Sequence, residues 1–235
     1  GTFEEVTEKV GLNKVAFAMG SNFGDIDNDG YPDIFLGTGN PQYESLVPNK
    51  MFQNIKGEKF LDVTSAARVG NLQKGHGVSF ADLDDDGDED IFIKMGGAFI
   101  GDAYQNSLFL NQGQNKNHWI GISLEGVKTN RAAIGARLKV TFRENGVKRS
   151  VYHDINSGGS FGANPLEAHI GIGSATVIDS IEIKWPVGNY VQGFNNIRAD
   201  EHLKIKEGTQ TIILSGPRPV HFLHPGHDIV ECAPK

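Results

Sequence analysis

Two short stretches of the chain place aspartate at alternating positions, turn on a glycine, and end on a further aspartate. The first contains Asp25, Asp27, Asp29, Gly30, Tyr31 and Asp33; the second contains Asp82, Asp84, Asp86, Gly87, Asp88 and Asp90. Carboxylates this close repel one another unless a cation neutralises them. Calcium suits the pattern, because it is a hard ion that takes about six to eight oxygen ligands in flexible geometry. Alternation in a tight loop aims the side chains inward, and the glycine after the third aspartate permits a left-handed reversal of the backbone. On this reading Asp25, Asp27, Asp29 and Asp33, with the carbonyl of Tyr31, hold one calcium ion. Asp82, Asp84, Asp86 and Asp90, with the carbonyl of Asp88, hold a second. Magnesium fits less well, since it demands octahedral geometry and keeps several waters. The loops open like an EF-hand, but position twelve is Leu36 or Ile93 rather than a bidentate glutamate, which points to strand–loop–strand sites. One such loop alone reads equally well as an acidic turn; two matched copies favour the metal.

The elements that position the loops come from an internal repeat. Phe23 to Leu36 aligns without a gap on Phe80 to Ile93, 57 residues later, as Asp25 and Asp82 show. The flanks keep the same offset: Met51-Phe52-Gln53-Asn54 matches Leu108-Phe109-Leu110-Asn111, and Phe3-Glu4-Glu5-Val6-Thr7 matches Phe60-Leu61-Asp62-Val63-Thr64. Each copy reads as a small antiparallel sheet. One strand ends at the Asp loop, an apolar strand leaves it, a third carries Met51-Phe52 or Leu108-Phe109, and in the first copy a fourth begins near Phe60. Units of this size and make-up are typical of propeller blades. From His118 the pattern changes to longer alternating strands around Trp119–Leu124, Ala136–Phe142 and Ile181–Trp185, the mark of half-buried strands in a sandwich or barrel. The expected fold is therefore all-β: two propeller-like calcium-binding blades over 1–115, a sandwich- or barrel-like domain over 116–210, and an extended tail over 211–235 rich in proline and histidine. Helix is confined to a turn or two near Glu4–Val10 and Thr64–Val69.

Composition narrows the function classes. A net charge of -7, gathered largely in the two clusters, argues against a general nucleic-acid binder. No apolar run reaches the length of a membrane span. The single cysteine, Cys232, rules out an internal disulfide framework. The opening residues lack a signal-peptide pattern, which fits either a cytoplasmic protein or a mature, processed chain.

The repeats, through Phe23-Gly24-Asp25-Ile26-Asp27-Asn28-Asp29-Gly30-Tyr31-Pro32-Asp33 and its second copy, resemble the FG-GAP/VCBS family of propeller blades. The second half resembles the ASPIC/UnbV domain that often follows such repeats, as in cartilage acidic protein-like chains. The matching residues are Asn117-His118-Trp119-Ile120, Ala133-Ile134-Gly135-Ala136-Arg137, Ser157-Gly158-Gly159-Ser160-Phe161, His169-Ile170-Gly171-Ile172-Gly173 and Ile181 to Gly188. The resemblance implies a secreted or periplasmic protein with calcium in its blades that mediates adhesion or protein contacts. Two blades cannot close a ring, so edge strands need cover. The C-terminal domain together with another chain is the expected cover, with the tail as a docking arm for a neighbouring subunit.

Other residue types carry weaker chemistry. His221, His224 and His227 fall three apart, but Pro225 breaks any helical spacing, and a docking arm explains them better than a metal site. Ser157-Gly158-Gly159-Ser160 reads as a turn. His153, Asp154 and Ser157 are neighbours in sequence, which says nothing of triad geometry. Arg137 and His169, on strands, fit a satisfied interior pair. The chain thus reads as a calcium-stabilised, non-catalytic interaction or assembly module. Two further classes suit the same residues: an accessory subunit of a larger secreted enzyme, redox or filament complex, and a calcium-dependent carbohydrate-binding or hydrolytic protein.

Overall fold

The computed structural model describes residues 1–39, 42, 46–97, 99–101, 104–113, 116–159, 161–220 and 222. It is all-β, with four small sheets in a propeller-like arrangement and no helix among the described residues. The two stretches expected to be helical each make a single turn, closed by Val10 N–H to the Val6 carbonyl and by Ala67 N–H to the Val63 carbonyl.

The first blade has strand order β1-β2-β3-β4: β1 (Ala18–Gly24), β2 (Asp33–Thr38), β3 (Lys50–Ile55) and β4 (Lys59–Asp62). The second has β5 (Lys74–Ala81), β6 (Asp90–Gly96) and β7 (Ser107–Phe109), and its sheet stops there. Strands β1 and β5, β2 and β6, and β3 and β7 occupy equivalent repeat positions. The blades share one core of Phe35, Met51, Val78, Phe80, Ile91 and Ile93. They approach through glycine. A Cβ at Gly20 would stand 1.7 Å from the His76 carbonyl oxygen, and one at Gly37 would stand 2.7 Å from that of Gly75. Only a bare backbone lets inner strands of adjacent blades lie this close.

The second half folds as two sheets around one core. One sheet has the order β11-β8-β14-β15, from β8 (His118–Glu125), β11 (Ala168–Gly173), β14 (Glu201–Lys206) and β15 (Ile212–Ser215). The other has the order β10-β9-β12-β13, from β9 (Arg137–Glu144), β10 (Val147–Asp154), β12 (Val177–Lys184) and β13 (Val191–Arg198). Alternating residues of both sheets meet between them, including Ile120, Leu138, Phe142, Ile172, Ile178 and Trp185. Ile212–Ser215, counted with the tail in the sequence reading, pairs antiparallel with β14 and extends this sheet. His221, His224, His227 and Cys232 lie outside the described residues.

The C-terminal half also covers an edge of the blades. The Asn164 side chain accepts from Phe80 N–H (2.9 Å) and from Asn22 Nδ2 (2.7 Å), and donates to the Phe23 carbonyl (2.7 Å), joining β1 to β5.

Gly20→Ala tests the blade contact. Its Cβ meets backbone, which cannot rotate away, so the expected loss is about 1–3 kcal/mol, read as a drop of several degrees in thermal midpoint. Gly193→Ala on β13, where a Cβ meets nothing nearer than 3.8 Å, is the control and should change stability by no more than about 0.5 kcal/mol. Equal effects would mean that the glycines do not set the spacing.

Candidate functional site

Each Asp loop joins the first two strands of its blade, and the two loops are built alike. Asp25 accepts the N–H groups of Asp29 (3.0 Å) and Gly30 (2.8 Å), and Asp29 accepts that of Tyr31 (2.8 Å). Asp82 accepts those of Asp86 (3.1 Å) and Gly87 (2.9 Å), and Asp86 accepts that of Asp88 (3.0 Å). The reversal uses two left-handed residues per loop: Asn28 and Gly30 at φ 55° and 83°, Asp85 and Gly87 at φ 58° and 99°. The glycines stand out in the sequence pattern, whereas the residue two before each carries no sequence mark of its left-handed backbone. Asparagine and aspartate tolerate that conformation better than other side chains.

Carboxylate oxygens of Asp25, Asp27 and Asp29 lie within 4.8 Å of one another, as do those of Asp82, Asp84 and Asp86. The closing aspartates brace the loops. Asp33 accepts from Ile26 N–H (3.1 Å) and Asn54 N–H (2.7 Å), and Asp90 from Leu83 N–H (3.0 Å) and Asn111 N–H (2.8 Å). The structure thus gathers three carboxylates per loop and sets the fourth beside them with both oxygens on backbone donors. Tyr31 lies under the Arg149 guanidinium, 4.4 Å from the ring centroid, and the Asp88 carboxylate accepts from Asn28 Nδ2 at 2.9 Å.

The electrostatics are those of a site short of positive charge. Burial, followed by Asp27, pushes Asp29 up to about 6; burial pushes Asp33 up to about 8. Asp82, Asp88 and Asp90 rise to about 6, chiefly through burial, and burial followed by the neighbouring Asp29 lifts Asp25 well above the carboxylate range. Asp84 Oδ1 is buried with no hydrogen-bond partner. A cluster of hard oxygen donors with one buried oxygen unsatisfied, and with Arg149 offsetting only part of the charge on Asp29, fits a calcium-sized ion. Glu89 adds to the strain. It is buried between the loops, accepts Asp25 N–H at 2.6 Å, and is pushed by burial to about 7. Its counterpart in the first repeat is Pro32, so the repeat gave no sign of it.

The outer sides of both loops rest on the second half of the chain. Asn28 and Asp85 occupy the same repeat position, and each meets a histidine. His169 Nε2 donates to Asn28 Oδ1 at 2.8 Å, while Asn28 Nδ2 donates to the Gly87 carbonyl at 2.9 Å. His202 Nε2 meets Asp85 at 2.8 Å and its Nδ1 meets Glu167 at 2.8 Å. Trp119 carries both rings, stacked on His169 at 5.1 Å and edge-on to His202 at 4.7 Å. Burial, followed by the neighbouring His202, holds His169 down at about 3, so it is a neutral donor. Arg149 Nη2 donates to the Asp29 carbonyl (2.9 Å) and Asn117 Nδ2 to that of Asp27 (2.7 Å). Arg218 N–H binds Asp85 (2.6 Å) and Val220 N–H binds the Asp84 carbonyl (2.6 Å), so the start of the tail lies on the second loop of its own chain.

Arg137 and His169 are not partners: Arg137 lies over Tyr152 and faces Asp154 at 3.8 Å.

Two family models match the chain. The FG-GAP-like repeat covers residues 25–93, a span that includes both Asp loops, and the ASPIC and UnbV domain covers residues 126–212. No curated protein matches the chain significantly.

Two measurements address the site. Asn28→Gly keeps the left-handed backbone and removes the side chain that joins His169 to Gly87 and Asp88. It leaves a buried donor unpaired and should cost about 1–3 kcal/mol in denaturant unfolding; an unchanged midpoint would show that this junction is slack. The second is pH. In metal-free protein the raised carboxyls hold protons in the folded chain that the unfolded chain has released. Their contribution to stability is complete below about pH 4 and is lost as pH rises through 6 to 8. His169 acts oppositely, but only below about pH 6.5, where the unfolded ring takes up its proton. Chelated protein should therefore melt higher at pH 6.5 than at pH 8, and a flat or inverted profile would contradict the clustering.

Proposed function

We propose that this chain, an FG-GAP-like repeat joined to an ASPIC and UnbV domain, is a calcium-stabilised, non-catalytic interaction module that works outside the cytoplasm. The two matched domains suggest an extracellular-type propeller module for protein contacts. The calcium part of the reading rests on one observation. Two loops 57 residues apart make the same hydrogen bonds, gather three carboxylates each, and leave buried charge uncompensated. Asp25, Asp27, Asp29 and Asp33 would hold one ion and Asp82, Asp84, Asp86 and Asp90 the other, with the carbonyls of Tyr31 and Asp88 as further ligands. A bound calcium ion supplies positive charge and fixes the loop. The chain's own residues do the rest. Asp33 and Asp90 tie each loop to the next strand, while His169, His202 and Trp119 pass that order to the second half.

An extracytoplasmic location accords with this reading, because abundant calcium there keeps even weak sites filled. The role is then structural, and what the module offers a partner is a rigid outer surface of strand edges.

The test is metal content and melting on one preparation. Two calcium ions per chain are expected. With each site at about a hundredfold excess over its dissociation constant, chelation should cost about 5 kcal/mol in total, or on the order of 10–20 °C. Asp27→Asn and Asp84→Asn should each reduce the content to one ion. Two ions retained in both variants, or a melting point indifferent to chelator, would overturn the assignment.

A further inference from the structure

The repeat gives each Asp loop an equivalent outward side, and the chain meets the two sides differently. Asp27 and Asp84 are 57 residues apart, as are Asn28 and Asp85. On the first loop the Asp27 carbonyl accepts from the Asn117 side chain at 2.7 Å. On the second, the Asp84 carbonyl accepts from the Val220 backbone N–H at 2.6 Å. One end of each next side chain meets a histidine: Asn28 Oδ1 meets His169 and Asp85 Oδ1 meets His202. The other end of Asn28 donates into the second loop, at the Gly87 carbonyl and the Asp88 carboxylate. The other oxygen of Asp85 accepts Arg218 N–H at 2.6 Å. The first loop is thus held by side chains from the body of the fold. The second is held in addition by the backbone of the segment after β15.

The local sequence accounts for that backbone grip. Strand β15 ends with Ser215 opposite His202, the residue whose ring meets Asp85, so the chain leaves the sheet beside the second loop. It continues as Gly216-Pro217-Arg218-Pro219-Val220. Each proline fixes its own φ and pushes the residue before it to extended backbone. The prolines carry no N–H, which leaves donors on Gly216, Arg218 and Val220. An extended chain has a period of two, so the N–H groups of Arg218 and Val220 point to one side, and both go to the loop. Every residue from Gly216 to Val220 is exposed. A Cβ on Gly216 would meet nothing within 4 Å. Among the described residues no other hydrogen bond holds this segment. It is a strap with a single anchor.

The anchor is the second Asp loop, in the shape that gathers its carboxylates. Asp84 and Asp85 lie between Asp82 and Asp86. Asp84 keeps its Oδ1 buried without a hydrogen-bond partner, while its carbonyl turns to Val220. Asp85 takes a left-handed backbone, at φ 58°, and its carboxylate reaches His202 and Arg218. The conformation that brings Asp82, Asp84 and Asp86 together is therefore the one that offers both acceptors to the strap. Whatever stabilises that conformation from one side favours binding on the other.

We infer that Gly216–Val220 and the cation of the second loop bind cooperatively: the strap positions the loop for calcium, and a filled loop fastens the strap. This rests on the calcium reading and adds an asymmetry to it. The second site depends on the strap and the first does not. The coupling is reciprocal, so the factor by which loss of the strap weakens calcium is the factor by which loss of calcium loosens the strap.

The test uses the 235-residue chain in two single-site forms. Asp27→Asn keeps the second site and Asp84→Asn keeps the first. Amide ¹⁵N relaxation in saturating calcium reads Arg218 and Val220, with Ile213 and Leu214 of β15 as the internal reference. In Asp27→Asn all four should show order parameters of about 0.85. In Asp84→Asn the two β15 amides should stay there while Arg218 and Val220 fall below about 0.6, which separates release of the strap from unfolding. The reverse arm is calcium titration. Val220→Pro deletes a strap donor and should weaken the second site by about five- to a hundredfold, with the first site unchanged; Val220→Ala, which keeps the N–H, should leave both alone. Arg218→Pro should repeat the effect, and Arg218→Gln, which removes the charge and keeps the N–H, should not. Equal order at Arg218 and Val220 in the two single-site chains, each holding its one calcium ion, would overturn the coupling and leave the calcium reading standing. Equal weakening of both sites by Val220→Pro would likewise overturn it. Single-site chains that bind no calcium would overturn both readings together.

Discussion

Buried like charge is the constraint on which the structure turns. Three carboxylates within a few ångströms, one of them in each loop half-buried or more, are stable only if protonated or matched by a cation. The hydrogen bonds around them do not relieve that charge, because backbone N–H groups supply dipoles rather than a full positive charge. The chain spends these donors on shape, holding each loop in a conformation that keeps its carboxylates convergent. Glu89, placed between the loops where a cation would have been the cheaper neighbour, sharpens the demand.

The second half of the chain is organised around the same loops. Trp119 holds two histidines at the separation of two equivalent repeat positions, so Asn28 and Asp85 are each gripped although they differ in charge. His169 meets a neutral amide as a neutral donor, while His202 bridges two carboxylates. Arg149 and Asn117 add bonds to carbonyls that the first loop's reversal exposes, and Gly171 allows that loop to lie against β11: a Cβ there would stand 2.2 Å from Asp25 Oδ2. The blades and the sandwich are thus one structure with two cores, and the acidic loops form much of the seam between them.

The sequence carried the loops, the strand order within each repeat and the all-β class, because those features depend on short-range spacing: alternate aspartates, a glycine at a reversal, apolar alternation. It did not carry the seam. Asn28 and His169 are 141 residues apart, Asp85 and His202 are 117 apart, and no local pattern marks either pair. Asn28 and Asp85 were visible only as the variable letter of a motif, while their left-handed backbone and their outward side chains are tertiary facts. Ile212–Ser215 was hidden by the prolines that follow it, and the pairing of Arg137 with His169 failed because residues on strands of different sheets need not face each other. The strand missing from the second blade was legible in principle, since no Phe-x-Asp-Val-Thr follows Asn111 at the repeat distance.

The Trp119 shelf has a consequence for how such a chain can change over time. It is a ruler with two marks. A repeat duplicated between the existing pair would push the loops off their histidines, and a repeat added outside would find no third ring to meet it. The spacing of the two loops and the domain that carries Trp119, His169 and His202 therefore constrain one another, and a change in repeat length between the loops has to be matched in that domain.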